Sequence, residues 1–247
     1  MITDIHTHIL YDIDDGAKDI WESLELIEME IANDVDIVVL TPHFDSNSDS
    51  LEIFEPLCRE HYDTLLKRSL DKNIANTSNI TLVLGSETFY SSALMYYNTL
   101  KPLCIGNTQY LLIEFSTEMV FDKDFFVEFE ALIAKFDIVP IVAHIERCKH
   151  IQKHINIIRK LKKLECIIQV NANYILNNID NRFVKRMVKH GYIDIIASDC
   201  HDIRRRPPNL KAAFSLIDEK YDGYYSKILA GKYKKINVKL RESQNKW

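Results

Sequence analysis

Residues 4–17 read DIHTHILYDIDDGA: two histidines one residue apart, then a run of acids and a lone glycine. The apolar stretch Ile2–His6 predicts a β-strand that delivers them. On an extended segment, side chains at i and i+2 point to the same face. His6 and His8 can therefore reach one ion, and imidazole nitrogen is a borderline ligand suited to Zn, Mn or Fe. Asp12, Asp14 and Asp15 follow closely. A polar strand end facing solvent would look the same over so short a stretch. The rest of the chain decides.

Six further apolar runs predict strands over Asp36–Thr41, Ile80–Ser86, Tyr110–Phe115, Ile138–Ala143, Cys166–Asn171 and Ile193–Ser198. Near-continuous apolar runs are expected of parallel strands buried on both faces. Amphipathic periodicity predicts helices between them, over Ile20–Ala32, Glu52–Leu70, Phe125–Phe136, Ile151–Leu164 and Arg182–His190. Strands alternating with helices indicate an α/β fold with a largely parallel sheet. Asn47–Ser50 and Asn73–Asn79 are polar loops without linker character, so 1–247 reads as a single domain. The Tyr- and Lys-rich stretch Tyr221–Tyr233 is expected to pack on the barrel or on a neighbouring copy, the latter making a homo-oligomer.

Composition removes several function classes. A chain of 247 residues suits one α/β barrel. Its net charge of −5 gives no basic field for nucleic acid, and Arg204–Arg206 is too short to reverse that. Five cysteines without CxxC spacing argue against a disulfide framework and place the chain in the reducing cytoplasm. No apolar run approaches ~18 residues and the chain opens on a strand, so neither membrane insertion nor a signal peptide is expected. No GxGxxG or GxxxxGK[ST] occurs among only six glycines, which removes nucleotide-binding loops of those types.

The informative pattern is where polar residues end the strands. His6 and His8 end the first, His43 in TPHF follows the second, and Glu87 in GSE ends the third. Glu114 in LLIEF ends the fourth, His144 in VAHIER the fifth, and Asp199 and His201 in SDCHD the seventh. Functional sites of parallel α/β proteins gather at the carboxyl ends of strands. One such residue means little, but six of seven strands ending this way indicates a metal site. Histidines mixed with carboxylates favour Mn, Fe or Zn in a catalytic role. The donors exceed what one ion needs, so two or three ions are expected, a clamp suited to phosphoryl displacement. Arg147 and Arg206 stand close after His144 and His201, where guanidinium forks match phosphate oxygens. Arg204 and Arg205 are expected to be solvated.

With these residues in hand, the chain resembles the PHP (polymerase and histidinol phosphatase) superfamily. Within it, the chain is most similar to bacterial manganese-dependent protein tyrosine phosphatases of capsule and exopolysaccharide clusters. The motifs DIHTHIL, DIDDGA, TPHF, GSE, LLIEF, AHIER, QVNA and SDCH carry the resemblance along nearly the whole chain. It implies a distorted seven-stranded (β/α) barrel with a trinuclear centre. It places metal ligation on His6, His8, Asp15, His43, Glu87, Glu114, His144, Asp199 and His201, with Asp15 rather than Asp14 matching by position. Phosphate binding or acid catalysis falls on Arg147 and Arg206. The implied cofactor is Mn2+, with Fe, Co or Zn as substitutes. The implied reaction is phosphotyrosine hydrolysis by metal-activated hydroxide, and the implied partner is the phosphotyrosine tail of a membrane tyrosine kinase controlling polysaccharide export. Phe44 departs from the family, where a polar or basic residue often follows the histidine; the departure concerns the substrate rim.

Rival readings are weaker. Cys200 and Arg206 satisfy a bare C-x5-R spacing, but the intervening residues contain no glycine to cradle phosphate and Pro207 follows the arginine. Amidohydrolases use a bridging lysine, and no predicted strand ends in Lys. The acidic net charge disfavours a nuclease. A histidinol-phosphatase-like enzyme on the same scaffold is the closest alternative, because it would share the metal chemistry.

Overall fold

The apolar runs form parallel strands, as their unbroken hydrophobicity requires. The computed structural model describes residues 2–72 and 80–244, so the polar loop expected over Asn73–Asn79 lies outside the described residues. The strands are β1 (Ile2–Thr7), β2 (Val35–Leu40), β3 (His43–Asp45), β4 (Thr81–Leu84), β5 (Glu87–Phe89), β6 (Tyr110–Glu114), β7 (Val139–Val142), β8 (Ile167–Asn171) and β9 (Ile195–Ala197). One sheet has the order β1-β2-β4 and the other β3-β5-β6-β7-β8-β9.

Helices alternate with them. After β1 comes α1 (Ile20–Ala32), after β3 α2 (Leu51–Asp71) and after β6 α3 (Lys123–Phe136). Next are α4 (Lys149–Lys153), α5 (Asn156–Lys163), α6 (Ala172–Asn178), α7 (Arg182–Lys189), α8 (Leu210–Lys220) and α9 (Ala230–Gln244). Asp19 starts α1 by accepting from the backbone N–H groups of Trp21 and Glu22 at 2.8 and 3.0 Å. The single helix expected over Ile151–Leu164 is two, broken at His154. The break lets Ile151 bury from one axis while Ile157, Ile158 and Leu161 bury from another.

The strands expected over Asp36–Thr41 and Ile80–Ser86 end early, at Leu40 and Leu84. After each gap the chain starts a short strand in the second sheet. Pro42 has no N–H for the ladder, and the gap is spanned by Gly85 N–H to Leu40 O at 2.9 Å and Glu87 N–H to Pro42 O at 3.0 Å. At the far side, β1 meets the segment after β9 through an isolated Thr7–Cys200 bridge. The architecture is therefore a mixed α/β fold with parallel sheets of three and six strands, and no closed seven-stranded ladder runs through the described residues.

The Tyr- and Lys-rich stretch packs on the fold itself, at the amino ends of β1 and β9. Tyr233 is fully buried. Its hydroxyl accepts from Ile196 N–H at 2.8 Å and donates to Ile196 O. Lys162 and Lys232 both pair with Asp194, each at 2.6 Å. This closes the end of the sheets opposite the polar cluster.

Candidate metal centre

At the carboxyl ends of the strands, imidazoles and carboxylates crowd one buried space. His6 lies within β1 and His8 just beyond it, and both are fully buried. Their Nε2 atoms lie 3.1 Å apart. Glu87, also buried, places Oε2 at 3.1 Å from His6 Nε2, 3.2 Å from His8 Nε2 and 3.1 Å from His43 Nδ1. Its Oε1 meets His144 Nε2 at 2.7 Å. Glu114 Oε1 lies 3.5 Å from the same nitrogen. Asp199 directs Oδ1 toward His6, His8 and His201 at 3.4, 3.5 and 3.6 Å.

The acidic run after His8 divides into two roles. Asp14 Oδ2 accepts from His8 Nδ1 at 2.7 Å and from the His43 backbone N–H at 2.9 Å. Asp15 instead reaches the mouth, with 69% of its side chain exposed and Oδ1 at 3.3 Å from His201 Nε2 and 3.5 Å from His43 Nε2. Gly16 makes this loop possible. A Cβ there would lie 2.1 Å from the carbonyl oxygen of His8, closer than any real side chain approaches backbone.

Among the described residues, four overlapping sets have donor atoms within 4.8 Å of one another. They are His8, Asp15, His43 and His201; His6, His8 and Glu87; His6, His144 and Asp199; and His43, Glu87 and Glu114. Together they hold all nine residues expected from the sequence. His144 and Asp199 enter with φ of +25° and +54°, a region that costs a non-glycine residue roughly 1–3 kcal/mol.

The electrostatics fit a cation. Burial alone would raise the Glu87 carboxyl, but His6 and His144 outweigh it and hold it well below the usual range. Burial likewise opposes charge on His8, yet the Asp14, Asp199 and Glu87 carboxylates around it push it well above an ordinary imidazole. Asp14 is brought down to about 2, the His8 contact overcoming its burial. The carboxylates thus draw positive charge into the cluster. Glu87 Oε2 is nonetheless buried without a hydrogen bond, although three ring nitrogens surround it. A buried acceptor lacking a donor is costly, and a divalent cation held by these residues would remove the cost. His201, lowered to about 4 by burial and by the charge of His8, is a neutral imidazole at neutral pH, the form that binds metal.

Arg147 and Arg206 stand at the rim, each about a third exposed. Both place Nη2 on Asp199 Oδ2, at 2.5 and 2.8 Å. Arg204 and Arg205 are exposed, as expected. Phe44 is not at the rim: it is fully buried, its ring 5.0 Å from Phe54. The side chain that follows the histidine here serves the core.

Cys200 is buried with its Sγ 3.7 Å from Glu30 Oε1. Burial raises the thiol well above its ordinary value, and the Glu30 and Asp4 carboxyls add to this. A nucleophilic thiolate needs the opposite surroundings. Two residues stayed without a role in the sequence reading, Gln169 and Asn171 of QVNA. Their i, i+2 spacing on a predicted strand was the available signal.

A family model for capsular polysaccharide synthesis, CpsB/CapC, matches residues 2–236. The chain belongs to the CpsB/CapC family. Tyrosine-protein phosphatase CpsB of Streptococcus agalactiae serotype III is 30% identical over 223 residues, covering 87% of this chain and 88% of the relative. The putative tyrosine-protein phosphatase CapC of Staphylococcus aureus is 29% identical over 233 residues, covering 92% and 87%. Among solved structures, one from work on YwqE of Bacillus subtilis and CpsB of Streptococcus pneumoniae, described as unique metal-dependent tyrosine phosphatases, superimposes with a TM-score of 0.74. At 24% identity, over 90% of this chain and 88% of that one, it establishes a shared fold. The strand-end cluster of this CpsB/CapC chain is therefore set in the architecture of its family.

Proposed function

We propose that the chain is a metal-dependent protein tyrosine phosphatase acting in capsule or exopolysaccharide synthesis, with 1–247 forming one phosphatase domain. The observation that carries the reading is Glu87 Oε2, buried, surrounded by three imidazole nitrogens and lacking a hydrogen-bond donor. The names of the CpsB and CapC relatives support the substrate class.

His6, His8, Asp15, His43, Glu87, Glu114, His144, Asp199 and His201 would hold two or three divalent ions. Mn2+ is the proposed native ion on the resemblance to manganese-dependent phosphatases; the donor set itself, hard carboxylates and borderline imidazoles with no thiolate, suits Mn, Fe or Zn. When bound, such ions supply Lewis acidity and lower the pKa of water. The protein's own part is positional and electrostatic. Arg147 and Arg206 neutralise charge on the equatorial oxygens of the transferring phosphoryl group. A phenolate leaving group, with a pKa near ~10, needs less protonation than an alkoxide. Aryl phosphates are therefore the easier substrates.

The proposed partner is the phosphorylated tyrosine tail of a membrane kinase that controls polysaccharide export. Five free, buried cysteines support a reducing cytoplasmic setting. No described helix is long and apolar enough to cross a membrane. The test compares kcat/KM on a phosphotyrosine peptide with kcat/KM on histidinol phosphate. Preference for the peptide supports the reading, and preference for histidinol phosphate replaces it with the small-molecule alternative.

A further inference from the structure

Gln169 and Asn171 lie on the same face of β8, beneath the cluster, and both are buried. Gln169 Oε1 accepts from the His144 backbone N–H at 2.6 Å and lies 3.3 Å from His6 Nδ1. Gln169 Nε2 donates to Asn171 Oδ1 at 2.7 Å, and Asn171 Nδ2 donates to Asp199 Oδ2 at 2.6 Å. The two amides therefore form a chain from β1 and the segment after β7 to the segment after β9.

The direction of that chain is fixed at both ends. A backbone N–H can only donate, so the Gln169 oxygen must face His144. A carboxylate acts as the acceptor, so the Asn171 nitrogen must face Asp199. Neither amide can flip without breaking an end. The same oxygen then requires the proton of His6 on Nδ1, leaving the Nε2 lone pair toward Glu87 and Asp199. At the other end, Asn171 joins Arg147 and Arg206 on Oδ2 of Asp199, which turns Oδ1 toward the histidines.

We infer that Gln169 and Asn171 are positioning residues, an amide relay that sets the tautomer of His6 and aims Asp199. The inference rests on the metal reading above. Its chemical basis is that partners of metal-binding imidazoles and carboxylates tune affinity about 10–100-fold.

Zn2+ is the probe. Its affinity is measured on the full chain by competition with a chromophoric chelator, and the His6 tautomer is read from imidazole 15N spectra of the metal-free chain at alkaline pH. The native chain is expected to show His6 protonated at Nδ1. Gln169→Met, which removes the acceptor at similar volume, is expected to weaken Zn2+ about 10–100-fold and to lose that single tautomer. Asn171→Leu is expected to weaken Zn2+ while His6 keeps its tautomer, a split that general loosening of the fold does not give. Native Zn2+ affinity in both variants, or His6 protonated at Nε2 in the native chain, overturns the relay alone. A native chain that takes up no Zn2+ overturns the metal reading itself.

Discussion

Asp14 Oδ2 meets His8 Nδ1 at 2.7 Å, on the side of the ring away from the His6 contact. That relationship separates two adjacent acids that the sequence leaves hard to tell apart. Asp14 orients an imidazole, and Asp15 stands at the mouth beside His43 and His201. Asp15→Ala is expected to lower the metal content per chain. Asp14→Asn is expected to keep the content and weaken affinity about 10–100-fold. Elemental analysis with chelator competition measures both, and the reverse pattern would exchange the roles.

The rim arginines should matter more for turnover than for metal, because each single variant leaves Asn171 and the other arginine on Asp199 Oδ2. Arg147→Ala and Arg206→Ala are each expected to retain bound metal and to lower kcat at least ~10²-fold, the usual effect of removing a donor that stabilises transition-state charge. Near-native kcat in both variants would show that phosphate is held elsewhere.

Most of the site was legible because strand ends are easy to read in a parallel α/β chain. Every candidate ligand except Asp15 stands at or just after the end of an apolar run, and the runs became strands. What stayed hidden is relational. Nothing in DIDDGA says which acid turns inward; that follows from Gly16, whose missing Cβ lets the loop fold back on His8. Periodicity alone could not place the breaks at Pro42 and Gly85, where the chain passes from one sheet to the other. The helix over Ala230–Gln244 is not foreseen, the Tyr- and Lys-rich stretch Tyr221–Tyr233 overlapping only its start, because its anchors are single contacts such as Tyr233 with Ile196 and Asn237 with Thr3.

Cys200 separates two phosphatase chemistries. Its thiol lies against Glu30, buried and protonated. Cys200→Ser keeps a hydrogen-bond donor at that place, so it is expected to retain most turnover and its metals. An inactive Cys200→Ser with full metal content would favour a thiolate nucleophile instead.

Glu30 gives a pH dependence. Burial raises its carboxyl well above the ordinary value of 4.5, and the Asp4 carboxyl beside it adds to the shift. A raised acid contributes stability that is present below its unfolded pKa and lost as pH rises toward the folded one. Glu30→Gln removes that loss. The Tm of the variant relative to the native chain is therefore expected to climb as pH rises above the ordinary carboxyl value of 4.5. A flat or falling difference would mean that Glu30 is ionised in the fold.

The central claim, that the strand-end cluster hydrolyses phosphotyrosine with bound metal, is tested most directly by chelation and restoration. Purified chain is analysed for metal, stripped with a strong chelator, and assayed on a phosphotyrosine peptide before and after return of Mn2+, Co2+, Fe2+ or Zn2+. The account predicts two to three ions per chain (the number such a donor set suits), activity abolished by stripping, and activity restored most fully by Mn2+. Full turnover in the stripped, metal-free chain would contradict it.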